Sequence, residues 1–182
     1  MKKIAILLVM VICVSIAGCG NLKEFLAREA IDNAQTIWGE LIEEAEEAET
    51  KTKTEFEQKQ IAVEGGVLKS VDDGQAAIKS YAVMKRFDEY CLVVTFDYTN
   101  TNPTEDRCFS NLGGWMRIYQ DSAQINTTST NLDKDVYTYI KPGATIEVTA
   151  SITLRNNSSD VLFETINWRD DTIISSYTLK IK

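Results

Sequence analysis

The chain contains no histidine among its 182 residues. That absence excludes Ser-His-Asp and Cys-His nucleophile pairs, His-ligated zinc or haem, and imidazole pH sensing. Basic residues are also scarce: 19 Lys and Arg stand against 27 Asp and Glu, a formal net charge of −8. Nucleic-acid binding needs a basic footprint, so no such partner is expected. There is no glycine-rich phosphate loop; Gly113-Gly114 precedes a strand pattern rather than a helix and is expected to bend the chain. The longest apolar run, Ile4 to Ile16, falls short of the about 20 residues that span a bilayer as a helix. What is present is 44% hydrophobic and 25% charged residues, the balance of a chain with a packed core.

The N-terminus carries an address. Met1-Lys2-Lys3 and the apolar run after it have the form of the n-region and h-region of a signal peptide. Ile16-Ala17-Gly18-Cys19 then resembles the bacterial lipobox: an aliphatic residue, two small residues and a cysteine that becomes the new N-terminus. The resemblance implies removal of residues 1–18, a thioether-linked diacylglyceryl group and palmitate-type acylation at Cys19. It places the mature protein on the extracytoplasmic face of a bacterial cell membrane. An ordinary secretory peptide cut nearby and an uncleaved short anchor are the alternatives. Of four cysteines, Cys13 leaves with the peptide and Cys19 carries lipid, so Cys91 and Cys108 remain. Two ligands cannot close a four-cysteine zinc site. A disulfide between them is permitted outside the cell. It is opposed by geometry if Cys91 starts a strand that turns near Asn102-Pro103, which sets Cys108 opposite Asp97 and beyond bridging distance.

Residues 19–60 form the second segment. Between 21 and 60 there are 5 basic and 11 acidic residues, no proline and one glycine. Apolar residues recur every three or four positions at Leu22, Leu26, Ala30, Ala34, Ile37, Leu41, Ala45 and Ala48, widened by Ile31, Trp38 and Ile42, which predicts a long acidic helix. Over residues 21–49 it would reach about 40 Å. It reads as a solvated stalk, as a stripe that packs on the following domain or associates with another copy, or as a partner-binding helix. Alanine at many seam positions gives a coiled coil little support.

From Ile61 the period changes to two. Ile146, Val148, Ala150, Ile152 and Leu154 alternate with Thr145, Glu147, Thr149, Ser151 and Thr153, a half-buried antiparallel strand. Leu92, Val94, Phe96 and Tyr98 form a second inward face, and Ile173, Tyr177, Leu179 and Ile181 a third. Shorter strands are expected at 66–71, 76–84, 115–119, 136–140 and 161–166. Asp72-Asp73-Gly74, Asn100-Thr101-Asn102-Pro103, Asp121-Ser122, Lys141-Pro142-Gly143 and Asn156-Asn157-Ser158 separate them as turns, with Pro142-Gly143 suited to the centre of a type II turn. About eight short strands without intervening helices indicate a mainly β antiparallel sandwich over residues 61–182, preceded by the signal peptide and the acidic helix.

Three stretches, Val93-Val94-Thr95-Phe96-Asp97-Tyr98-Thr99-Asn100, Ile118-Tyr119-Gln120-Asp121 and Ile140-Lys141-Pro142-Gly143-Ala144-Thr145, occur in an order that resembles an immunoglobulin-like sandwich family of unknown function. That family is found in surface lipoproteins of Gram-positive bacteria and is related to mycobacterial secreted antigens and telokin-like sandwiches. The likeness covers roughly residues 62–182 and brings no catalytic residues with it. One departure stands in the middle motif: Ser122 occupies a position where the family has glycine, which implies a wider turn.

No pair of carboxylates among Asp97, Glu105, Asp106, Asp170 and Asp171 is selected by spacing, so no enzyme activity is expected. Asp72-Asp73 and Asp170-Asp171 lack the alternating oxygen-ligand loop of a calcium site; neither a metal nor a cofactor is expected. Met116 and Ile118 should face inward, turning Trp115, Arg117 and Tyr119 outward, either as the composition of a recognition patch or, the commoner fate of such aromatics, packed against the opposite sheet or the helix. Tyr137, Tyr139 and Trp168 are further candidate aromatics. The expected roles are display of a non-enzymatic binding domain for a protein, envelope or host component, or envelope maintenance through self-association of the helix.

Overall fold

A computed structural model describes residues 20–86, 88–113, 115–128, 130 and 132–181, without the side chains of 20–33, 35 and 113. The signal peptide and Cys19 lie outside the described residues. The chain divides into two compact units, one ending at Thr52 and the other spanning Lys53–Lys182.

The described residues of the first unit, 20–52, are helix. Helix α1 (Gly20–Lys59) runs through a segment rich in alanine, leucine and glutamate, strong helix formers with no proline among them. Thr50 and Thr52, weaker helix formers, bond their hydroxyls back to the carbonyls of Glu46 and Ala48, each at 2.8 Å. Trp38 and Ile42, one turn apart, are more than half exposed. No described helix is long and apolar enough to cross a membrane.

The second unit begins with the last turn of α1 and continues into nine strands. Strands β1 (Ile61–Lys69), β2 (Gln75–Arg86), β3 (Glu89–Thr99), β7 (Thr145–Leu154) and β6 (Thr127–Thr128) form one sheet in the order β1-β2-β3-β7-β6. Strands β5 (Ala123–Ile125), β4 (Met116–Gln120), β8 (Val161–Ile166) and β9 (Ile173–Leu179) form a second in the order β5-β4-β8-β9. All neighbours are antiparallel. A short helix, α2 (Phe109–Gly113), covers one end of the core. Its Phe109 ring lies 4.9 Å from Phe96 and meets Tyr98 edge-on at 5.9 Å.

The alternating patterns resolve into a core between the sheets. Leu92, Val94, Phe96 and Tyr98 from β3 meet Ile118, Val161, Phe163 and Leu179 from the other sheet. The opposite side of β3 is also covered. Phe56, from the last turns of α1, packs with Ala82, Met84, Cys91, Val93 and Leu132, which is why the compact unit starts at Lys53 and not at Ile61. Farther along the same face, Ser151 donates to Asp133 Oδ1 at 2.6 Å and shares a 2.7 Å hydrogen bond with Thr130. Thr149 and Ser151, polar and outward by pattern, are therefore buried.

Thr95 lies on this covered face, 6% exposed, and its hydroxyl has no partner among the described residues. A buried hydroxyl without a hydrogen bond costs about 1–3 kcal/mol. Thr95→Val keeps the shape and removes the orphan. It is expected to raise stability by about 1 kcal/mol, read as an upward shift of the urea midpoint with an unchanged slope.

Three local expectations are corrected. Residues 136–140 alternate like a strand but form a turn. Asp135 has φ +57°, the Val136 carbonyl accepts from Ser110 N–H, and Ile140 exchanges both backbone bonds with Arg107, so Tyr137 and Tyr139 project into solvent. Ile173 is not inward: a register shift between Thr165 and Ile166 turns it out, 58% exposed. The Asp121-Ser122 turn is not wide. Gln120 pairs with Ala123, leaving a two-residue hairpin in which Asp121 and Ser122 both take positive φ, 51° and 61°, as a type I′ turn requires. Ser122 holds a backbone that glycine adopts without strain. Ser122→Gly is accordingly expected to stabilise by about 1 kcal/mol, measurable as a rise in melting temperature.

The motif residues prove to be loop clamps. Asn100, fully buried, donates through Nδ2 to the carbonyls of Glu105 (2.9 Å) and Ile140 (2.8 Å) and accepts from Asn102 N–H at 2.9 Å. The Lys141-Pro142-Gly143-Ala144 turn closes with a 3.0 Å bond from Ala144 N–H to the Lys141 carbonyl, and Gly143 sits at φ +78°, as its sequence led us to expect. Tyr98 donates to the Asp73 carbonyl at 2.6 Å, and the Arg107 Nε lies 3.1 Å from the Asp73 carboxylate, an ion pair without hydrogen-bond alignment.

Candidate functional site

The outer face of the four-stranded sheet gathers the expected patch. Met116 and Ile118 turn into the core, so Trp115, Arg117 and Tyr119 lie on the other side, as alternation requires. None stands free. Trp115 is anchored by backbone bonds from its N–H to Leu112 and from Ile166 N–H to its own carbonyl. Its ring lies 6.1 Å from that of Trp168, tilted by 32°. Arg117 donates to Asp171 at 2.9 Å.

Trp168 sits in the turn between β8 and β9, and the turn is tied to itself. Asn167 receives bonds from Arg169 N–H and Asp171 N–H and donates to the Thr172 carbonyl, while Asp170 accepts from the N–H and hydroxyl of Thr172. The Thr172 bonds hold the Asp170 carboxyl below its ordinary value. A tryptophan 51% exposed is thus presented on a fixed turn. The Arg169 guanidinium lies 5.0 Å from its ring centroid, within cation–π range, and 3.8 Å from Asp72.

At the other end of the same face, Tyr119, Leu162 and Thr178 are register neighbours on β4, β8 and β9. They line an open depression of about 390 Å³ together with Asp121, Ser122, Asp160 and Glu164. Asp160 is ion-paired with Lys180. The hydrogen bond from Lys180 depresses its carboxyl below the usual aspartate value. The pair's contribution is therefore present above the unfolded aspartate value and is lost as pH falls through the lower folded one. Asp121 accepts from Asn156 at 2.7 Å; among the described residues neither Asp121 nor Glu164 is in an ion pair.

The sequence pointed to Trp115, Arg117 and Tyr119 and, separately, to Trp168, but not to Leu162 or Glu164. Leu162 and Glu164 were readable as outward positions of a strand with period two. The pairing of Trp115 with Trp168 was not, because it joins residues brought together only by the sheet. Cys91 and Cys108 are free, buried thiols, so the disulfide left open above is not formed. After β3 the chain does not return along it but enters α2. Cys91 stays under Phe56, whereas Cys108 contacts Ser110 and Asn111. Burial pushes the Cys91 thiol up, away from thiolate chemistry. Among the described residues no three potential metal ligands cluster.

Two solved structures are similar to this chain. One is a Staphylococcus aureus protein provisionally described as a lipoprotein, 17% identical, with 60% of this chain and 85% of that one covered at a TM-score of 0.50. The other is an NMR structure of a protein from Enterococcus faecalis, also 17% identical, covering 66% and 93% at a TM-score of 0.49. No curated protein matches the chain. Residues 44–167 match the family described as a domain of unknown function, DUF5067, and the chain belongs to that family.

Proposed function

We propose that the protein is a lipid-anchored bacterial surface protein. In this reading its sandwich, of immunoglobulin-like type, binds another protein or an envelope component without catalysis. The observation that carries the binding role is Trp168, half exposed on a self-bonded turn beside Trp115 and Arg169. Tryptophan is ordinarily well buried on average, and tryptophan with arginine and tyrosine is the composition of binding hot spots. A turn already fixed by its own hydrogen bonds loses little entropy on binding. Anchoring rests on the lipobox ending at Cys19, in keeping with the lipoprotein description of the Staphylococcus aureus neighbour.

A second reading, envelope maintenance through self-association, is favoured by the exposed Trp38 and Ile42 on one side of α1. Cross-linking on intact cells, followed by mass spectrometry, separates the two. A reproducible partner joined through residues 53–182 supports binding; self-links confined to residues 20–52 support the structural role and remove the first reading.

A further inference from the structure

A sandwich of two open sheets has four edge strands, and three of them here are protected by devices known to prevent strand addition. Strand β6 has two residues and β5 three. Strand β1 carries Glu64 and Lys69 and is bulged between Ala62 and Gly66, with Gly65 at φ +84°. Strand β9 differs. It has seven residues, Ile-Ile-Ser-Ser-Tyr-Thr-Leu, with no charge and no proline. Its irregularity is confined to the first two residues, so Ser175–Leu179 pairs regularly with β8. Strand β1 approaches it through side chains: Lys69 N–H donates to Ser175 Oγ at 2.9 Å, and the Tyr177 ring lies against Gly66. Among the described residues no backbone hydrogen bond joins β9 to anything but β8.

The chemistry beside this edge is mainly acidic, with Lys180 paired to Asp160 and Arg117 opposite Glu164 in register. Thr178 of β9 lines the depression that holds Asp121, Asp160 and Glu164, two of which lack an ion-pair partner. A strand added to β9 would run about 4.8 Å from it, with β8 about 10 Å away. A residue opposite Thr178, with its Cβ about 5 Å from that of Thr178, could lay a lysine or arginine side chain across Leu162 to Glu164. At the far end of β9, Ile173 is exposed next to the turn that carries Trp168.

We infer that β9 is a strand-addition site for an extended, basic segment of a partner protein, with a cationic side chain seated in the Tyr119–Leu162–Thr178 depression. The inference rests on the proposed binding role and names its partner chemistry. Backbone bonds to β9 supply affinity, and alternate side chains supply selectivity. A basic partner also matches a chain of net charge −8, which disfavours a second copy of itself.

The test uses the full chain in detergent micelles and a labelled, end-capped peptide alternating lysine and valine, followed by fluorescence anisotropy. Three comparisons accompany it: the same peptide N-methylated at alternate amides, a glutamate–valine counterpart, and the Asp121→Asn/Glu164→Gln double variant. Saturable binding is expected for the lysine–valine peptide alone, about tenfold weaker with the double variant. Equal binding of the N-methylated peptide, or no saturable binding, overturns strand addition. Concentration-dependent dimers abolished by Ser176→Lys overturn it in favour of a second copy. A cross-linked cellular partner on the Trp115–Trp168 face would survive either failure, so the two readings fall separately.

Discussion

Gln120→Leu is expected to destabilise the sandwich by about 3 kcal/mol, roughly 10 °C in melting temperature for a domain of this size. Gln120 is 1% exposed, and its amide makes four hydrogen bonds. Nε2 donates to the carbonyls of Asn156 (3.0 Å) and Ser159 (2.9 Å), and Oε1 accepts from the N–H groups of Arg155 (2.7 Å) and Asn156 (3.2 Å). One side chain thereby satisfies four backbone groups of the connection between β7 and β8, while Asn156 Oδ1 accepts from the Ser158 and Ser159 N–H groups. Leucine fills nearly the same volume, so the loss comes from unpaired polar groups and not from a cavity. Hydrogen exchange should show the effect first at residues 155–159. A loss below 0.5 kcal/mol would mean that water replaces the amide without cost. The tyrosine-glutamine-aspartate motif would then owe its presence to something other than this clamp.

Cys19→Ala is expected to have the largest cellular effect. Each buried methylene contributes about 0.8 kcal/mol, so under the proposed lipidation two long acyl chains on Cys19 would anchor the protein by on the order of 20 kcal/mol. No described helix is able to replace that anchor by crossing the bilayer. Without the cysteine the protein should leave the membrane fraction or remain at its unprocessed mass, with no lipid detected by intact-mass spectrometry. Retention in the membrane at mature size would contradict lipidation and return the N-terminus to one of its alternatives.

The strands that the sequence shows most clearly are those with one face in a single apolar core. Leu92, Val94, Phe96 and Tyr98 alternate because the other sheet packs against all four. Where a second layer covers the outer face, alternation misleads. Thr149 and Ser151 look solvent-facing but are buried, Ser151 under Thr130 and Asp133 and Thr149 beside its backbone partner Lys134, and Val93 is buried on the side where a polar residue would be expected. Strands β5 and β6 are too short for any period to register. Residues 136–140 have the alternation without the partners, since only Ile140 finds an antiparallel neighbour, Arg107.

The candidate site was half legible for a related reason. Trp115, Arg117 and Tyr119 follow from the inward set of Met116 and Ile118, a local inference. Trp168 reaches Trp115 only because β4 and β8 pair Met116 with Thr165, a contact that no spacing in the chain encodes. Asn100 reads as a turn residue and Gln120 as one member of a motif, and only burial and their hydrogen bonds show them to be the groups that fix three loops.

The most direct test of a binding face is a photo-activatable benzoylphenylalanine placed at Trp168 in the full chain on living cells, with a second placed at Lys79 on the other sheet as the control. Lys79 is exposed and held by Asp97 and Glu147, so it reports the general surroundings of the sandwich. The expected result is a discrete cross-linked partner from position 168 that is missing from position 79. The same adducts from both positions, or none from either, would contradict the assignment of this face to recognition.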